Sequence, residues 1–256
     1  IPASFTEKQI KQSFSSAEQM NAFVSMLYNE IDKSMTIKID ELIMRAINNM
    51  IGETVYAEVG AGSISGRSGV KAVNLLYLYN TRYGTSLSAG DALTTPDFLK
   101  FAAYHIGLYA DRLTKVSKLF NVGATAKFTP DDLRHTVFLS EFAKAIGPYT
   151  LAGAYNQEYL RLPEADTVPF WQGSGTGYDF ADTGKVYLSS TASGHAVTVT
   201  GVLGVMFDRD AVAVCNEDRR VTSNYNPKAE FFNYWYKFDC AYINDLDENF
   251  VVFYVA

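Results

Sequence analysis

Behind Ser15-Ser16-Ala17-Glu18 the apolar residues Met20, Phe23, Val24, Leu27 and Ile31 recur at three- and four-residue spacing, which places them on one helical face. Ser15 followed by Glu18 is a capping box, so the helix is expected to start there. The pattern pauses near 34–36 and resumes with Ile39, Leu42, Ile43, Ala46, Ile47 and Met50 before Gly52, a helix stop. One long kinked helix, or two helices in succession, is the expectation. The glycine-rich stretch 60–69 reads as a loop, and residues 70–83 as a helix ended by Gly84. Thr95-Pro96-Asp97 opens another helix, with Thr95 as cap, Pro96 in the first turn and Asp97 matched to the helix dipole. Its face includes Leu99, Ala102, Ala103, Ile106 and Leu113. Thr129-Pro130-Asp131-Asp132 repeats that chemistry and predicts a helix running to Gly147-Pro148.

After Tyr155 the period changes. Residues 168–171, 185–190, 196–203 and 205–215 are short, β-branched and punctuated by glycine, which predicts strands. Residues 229–243 are rich in aromatics, and 250–255 form a nearly continuous apolar run of the kind found in buried strands. The chain is therefore expected to be α+β, helices first and strands later.

Composition adds little but removes options. The 256 residues are 48% hydrophobic and carry 17 Tyr and 17 Phe, enough for a sizeable core and for aromatic contact surfaces. The net charge of −6 offers no basic patch for neutralising phosphates. Cys215 and Cys240 have no metal-ligand spacing and read as buried, reduced thiols. No stretch is long and apolar enough for a membrane helix, and no signal peptide is visible. The chain opens at Ile1 rather than Met, which reads as processing, truncation or an incomplete N-terminus.

No catalytic, cofactor-binding or metal-ligating constellation emerges. In 60–69 Ser65 stands where a third glycine of a dinucleotide loop belongs, and no Gly-Lys-Ser/Thr follows. Gly173-Ser174-Gly175-Thr176-Gly177 does not place its serine as a nucleophile elbow requires. His105 and His135 fall on predicted helices, and neither they nor His195 have a partner at zinc-ligand spacing. Cys215 in an apolar strand reads as a small core residue. Asp245-Leu246-Asp247-Glu248-Asn249 resembles the start of a calcium loop. It has Phe250 at the sixth position and no closing Glu, so a solvated turn is expected. Asp131 and Asp132 are expected to serve a helix N-terminus.

The order of several blocks resembles the major capsid proteins of tailed bacteriophages, the family with the Hong Kong 97-type fold. The first block is Phe14 to Met20 with Phe23, similar to the start of that family's spine helix. Next come Thr95-Pro96-Asp97-Phe98-Leu99, Leu119-Phe120-Asn121 and Phe128-Thr129-Pro130. Val168-Pro169-Phe170-Trp171-Gln172-Gly173-Ser174-Gly175 follows. The closing segment carries most weight: Val205 to Ala211 with its Asp-Arg, Thr222 to Pro227 with its Asn-Pro, then the aromatic run Phe231 to Lys237.

The resemblance implies a peripheral domain with the spine helix over 1–60, an axial domain of helices flanking a mixed sheet over 61–204, peripheral strands over 205–245, and a terminal strand over 246–256 returning to the axial sheet. It implies a shell subunit without enzymatic activity or cofactor. Such a subunit self-assembles in the host cytoplasm, as pentamers and hexamers, into the icosahedral head of a virion. Its partners would be neighbouring subunits and scaffold, portal or decoration proteins, and it would enclose double-stranded DNA without reading sequence. The family's N-terminal arm and extended loop precede the spine helix, and the 14 residues before Ser15 are too few for both. Alternation along 233–242 would put Tyr234, Tyr236 and Phe238 on one face and Trp235 on the other, with both faces covered. Rival readings are an encapsulin-type shell, an enzyme with a site around Cys215 or His195, and a tail or accessory virion protein.

Overall fold

A computed structural model describes residues 2–6, 16–60, 64–151, 163–172, 179–228 and 230–256. Ser15, with its expected capping box, and the glycine-rich 173–177 lie outside the described residues. The chain divides into two units, Ile1–Ile43 with Val214–Ile243, and Met44–Ala213 with Asn244–Ala256.

Helix α1, Ala17–Val59, is continuous over 43 residues and belongs to both units by connectivity. Neither expected interruption occurs. At the first, the Thr36 hydroxyl donates to the Asp32 carbonyl at 2.9 Å, a back-bond that keeps a β-branched residue within the helix. At the second, Gly52 stays helical and gives room to a neighbour: a Cβ there would sit 2.7 Å from Leu188 Cδ2. The helix ends instead at Gly60, whose φ of 78° is the left-handed turn that suits glycine.

In the first unit, β1 (Pro2–Thr6), β9 (Phe231–Asn244) and β8 (Val212–Asn226) form a sheet in the order β1-β9-β8. β1 runs antiparallel to β9 from Pro2 opposite Trp235 to Thr6 opposite Phe231. The turn from β8 to β9 is opened by Asn226, whose Oδ1 accepts the Lys228 N–H at 3.1 Å, an Asx turn. On α1 the half-buried positions Phe23, Leu27, Ile31, Ile39 and Leu42 with buried Met35 form one stripe. Met20 and Val24, expected on that stripe, are exposed.

The second unit holds a mixed five-stranded sheet in the order β2-β10-β7-β3-β4. Its strands are β2 (Ala72–Asn74), β3 (Arg134–Leu139), β4 (Asp166–Val168), β7 (Val202–Asp208) and β10 (Phe250–Tyr254). β10 runs parallel to β2 and antiparallel to β7, and β3 antiparallel to β7 and parallel to β4. Every residue of β7 and β10 is buried, so both faces of the sheet centre are covered. The helices are α2 (Leu75–Tyr83), α3 (Ala89–Ala92), α4 (Pro96–Leu113), α5 (Ser140–Leu151) and α6 (Phe180–Thr183). Tyr109 of α4 meets Phe253 of β10 edge-on at 5.5 Å, and Phe142 of α5 meets Phe138 of β3 at 5.7 Å. A hairpin of β5 (Val186–Leu188) and β6 (Val197–Val199) sets Leu188 against Gly52.

One expected helix begins later than its chemistry suggests, one lacks its expected cap, and one start is replaced by a strand. Residues 72–74 are strand, and α2 starts only after Asn74, whose Oδ1 accepts the Tyr77 N–H. Thr95 precedes α4, yet its hydroxyl donates back to the Asp91 carbonyl and caps nothing. After Thr129-Pro130 the chain forms strand β3, not helix, because buried Thr136, Val137 and Phe138 pair along β7 and Leu139 pairs with β4. His135 is therefore on a strand, and Asp131 pairs with Arg134 instead of serving a helix start. α5 passes its expected stop at Gly147-Pro148 and ends at Leu151; a proline there removes one N–H bond in the last turn. The strand expected over 205–215 is divided by a 3-10 turn, Arg209–Ala211, anchored where Asp208 Oδ1 accepts the Asp210 N–H. The strand expected over 168–171 ends at Val168.

Candidate functional site

In the second unit the residues weighed for chemistry lie apart, each with a structural partner. The glycine-rich loop after α1 has a carboxylate beside its second half. The Glu58 carboxylate accepts the Val70 N–H at 2.7 Å and pairs with Lys71 at 2.9 Å. The Val70 N–H and the Lys71 ammonium, groups that a phosphate would need, are thus already bound to a carboxylate. His195 stacks on Tyr56 at 5.3 Å, His135 on Phe207 at 5.9 Å, and His105 leans on Phe101 at 4.3 Å. Burial, with the charges of Arg82 and Arg112, lowers the His105 pKa. The turn 245–249 joins β9 to β10, as expected, with Asp245 Oδ1 accepting the Asp247 N–H at 2.9 Å. Among the described residues no group of three His, Cys, Asp or Glu could hold a metal ion.

Cys215 and Cys240 belong to the first unit. Cys215 is exposed and Cys240 half-buried, so the expectation of two buried thiols fails. β8 is covered by little of its own chain, which the apolar lettering around Cys215 does not reveal.

The aromatic strand β9 is the most informative surface of the first unit. Tyr234, Tyr236, Phe238 and Cys240 are half-buried and alternate with exposed Trp235, Lys237, Asp239 and Ala241. Tyr236 meets Tyr28 of α1 edge-on at 6.0 Å, and burial with the nearby Tyr28 hydroxyl pushes its pKa up to about 12. Asp32 of α1 pairs with Arg219 at 3.4 Å, and Arg220 pairs with Asp239. The alternation is as the sequence predicts. The expected cover on both faces is not, since within the chain the Trp235 side remains 37% exposed. The arrangement offers a sheet face for a contact.

Two buried polar hubs escape the sequence reading. Asn74 has no exposed surface and bonds to Ser68, Tyr77, Ile64 and Ala256. Trp171 donates its indole N–H to Val202 O at 2.9 Å and accepts from Asn48 Nδ2 at 2.7 Å. An Asn just ahead of an apolar run is the one signal that could have marked the first, as a helix cap.

Comparison with known proteins fits this picture of a molecule built for contact. No curated protein matches the chain. Among solved structures, a chain of the capsid structure of Staphylococcus phage Andhra is similar at TM-score 0.53 and 9% identity. The match covers 100% of this chain and 69% of that one. A chain from the structure of head fiber and inner core protein gp22 of native bacteriophage P68 is similar at TM-score 0.61, 9% identity and the same coverages. These likenesses carry the fold, α+β of the Hong Kong 97 type. The model of the Phi29-like phage major capsid protein family matches residues 1–254. No comparison favours an encapsulin. With its fold shared with phage capsid subunits, the chain belongs to the Phi29-like phage major capsid protein family and is a subunit of a phage shell.

Proposed function

We propose that this subunit builds an icosahedral head around double-stranded DNA, assembling as pentamers and hexamers in the host cytoplasm and working without catalysis or a cofactor. The observation that carries the reading is the family match over 1–254, joined to a strand, β9, whose outward face carries Trp235 open for contact. On this reading the first unit is the peripheral domain and the second the axial domain, with β7 assigned to the axial sheet. Many modest interfaces, repeated by symmetry, sum to a stable shell. The net charge of −6 suits a wall that encloses DNA without gripping it. Scaffold, portal and decoration proteins are the further partners this role requires.

Electron microscopy of the purified chain tests the proposal. Closed shells are the expected result, with nuclease-protected double-stranded DNA of genome length in particles from infected cells. A monomer that stays monomeric at every concentration overturns it, as do shells filled with protein cargo.

A further inference from the structure

Among the described residues of the second unit, Val116 and Leu119 are the most exposed large apolar side chains, at 69% and 59%, and Phe128 is 54% exposed. All three lie between α4 and β3. There Ser117 and Lys127 form an antiparallel bridge, each N–H donating to the other's carbonyl, at 2.9 and 3.0 Å. Antiparallel pairing sets Val116 and Phe128 together at one end of that bridge. Side chains alternate along paired segments, and Lys127 takes the side of the turn 245–249, where it pairs with Glu248. Val116 and Phe128 therefore turn the other way, to solvent.

The loop that carries them is anchored along its length. The Val122 and Gly123 N–H groups both donate to the Leu246 carbonyl at 3.0 Å, and the Thr125 hydroxyl donates to the Asp247 carbonyl at 2.8 Å. Buried Asn121 closes the bend, donating to the Thr125 carbonyl at 2.8 Å and accepting the Thr125 N–H at 2.9 Å. Gly123 lies so near the turn that a Cβ there would sit 1.7 Å from Asp247 Oδ1. An apolar surface held in place in this way has little freedom left to lose on binding, which is the property of a docking site.

We propose that the surface of Val116, Leu119 and Phe128 is covered by a second copy of this chain in the shell. Three side chains cover far less than the roughly 800 Å² per partner that holds a stable two-body complex. A free-standing partner would not stay on so small a patch. A neighbouring copy, already retained by the other contacts of a closed shell, would. Charge agrees with that occupant. Arg112, Lys115 and Lys118 are exposed around the patch, and Asp111 is the only acidic residue of 111–128. The whole chain carries −6, so another copy is drawn toward this basic rim. The inference rests on the proposed assembly of many copies and names one surface used in it.

Photo-cross-linking in the full chain tests it, with Leu119 replaced by p-benzoylphenylalanine. Irradiated shells should yield a covalent dimer whose joined peptides come from two copies, shown by mixing isotopically light and heavy chains. Links that stay within one chain, or that capture DNA or a different protein in particles from infected cells, overturn the proposal. Val116→Ser with Phe128→Ser is expected to keep the circular dichroism and thermal midpoint of the unaltered chain. It should raise the concentration needed for shells about tenfold, read by light scattering and electron microscopy. Leu119→Ser, expected to raise that concentration about threefold, serves if the double variant does not fold. Folded variants that form shells at the unaltered concentration overturn the contact. An unaltered chain that forms no shell at any concentration overturns the assembly reading, and the inference falls with it.

Discussion

The Asn74 side chain holds both backbone groups of Ala256: Nδ2 donates to its carbonyl at 2.7 Å, and Oδ1 accepts its N–H at 3.4 Å. The same oxygen caps α2 through Tyr77 N–H. One buried amide therefore joins a helix start, an edge strand and the strand beside it. Asn74→Ala is expected to cost about 3 kcal/mol, since it removes a cap and leaves buried partners unsatisfied. Urea unfolding would measure this, and a loss under about 1 kcal/mol would contradict the hub role.

Gly201 has a φ of 65°, and a Cβ there would meet the Val255 carbonyl oxygen at 2.1 Å. Gly84 has nearly the same φ, 64°, with nothing within 4 Å. Backbone strain alone costs about 1 kcal/mol, so Gly84→Ala is expected to lose about that much. Gly201→Ala adds a clash with backbone and should lose about 3 kcal/mol or more. Equal losses in thermal unfolding would show that the close approach of β10 is not fixed.

His105 makes the second unit sensitive to acid. Its folded pKa is lowered by burial and by Arg82 and Arg112, so below its ordinary value of 6.5 the unfolded chain binds the proton first. Stability therefore falls as pH drops through about 6.5 and levels off below the folded pKa. Thermal midpoints compared at about pH 7.5 and about pH 5.5 should show a smaller acid-induced drop in His105→Gln than in the unaltered chain. An identical drop would assign the sensitivity elsewhere.

Trp235 and Tyr236 are neighbours with opposite duties. Tyr236 meets Tyr28 and is half-buried, so Tyr236→Ala is expected to cost about 2 kcal/mol of folding stability. Trp235 faces outward, and Trp235→Ala should change folding by about 1 kcal/mol or less. Its cost is expected in assembly, where losing a central aromatic typically weakens association about thirtyfold. Light scattering against protein concentration would show it. Normal assembly by Trp235→Ala would remove that face from the interfaces.

Where the sequence was legible, a local signal and tertiary packing agreed. The apolar run 250–255 is a buried strand, α4 begins at Pro96, and the alternation along β9 holds. Where it misled, packing overrode a sound local rule. Thr129-Pro130-Asp131 has the chemistry of a helix start, but burial against β7 draws the next residues into a strand. Gly52 has the form of a helix stop, but it is small because Leu188 needs the space. The contact surfaces were half legible. Alternation marks which side of β9 each aromatic takes, while only the fold reveals that the Trp235 side stays open.

The pairing of Asp32 with Arg219 joins positions 187 residues apart in the chain. At synthesis rates of about 5–20 residues per second, the first part of α1 leaves the ribosome roughly 10–40 s before the hairpin that meets it at Tyr28 and Asp32. For that interval Tyr28 and Asp32 lack their partners Tyr236 and Arg219, while the apolar stripe of α1 is already made. A newly made shell subunit therefore spends its first moments as a sticky amphipathic helix, open to chaperones and to hairpins released by other ribosomes on the same message.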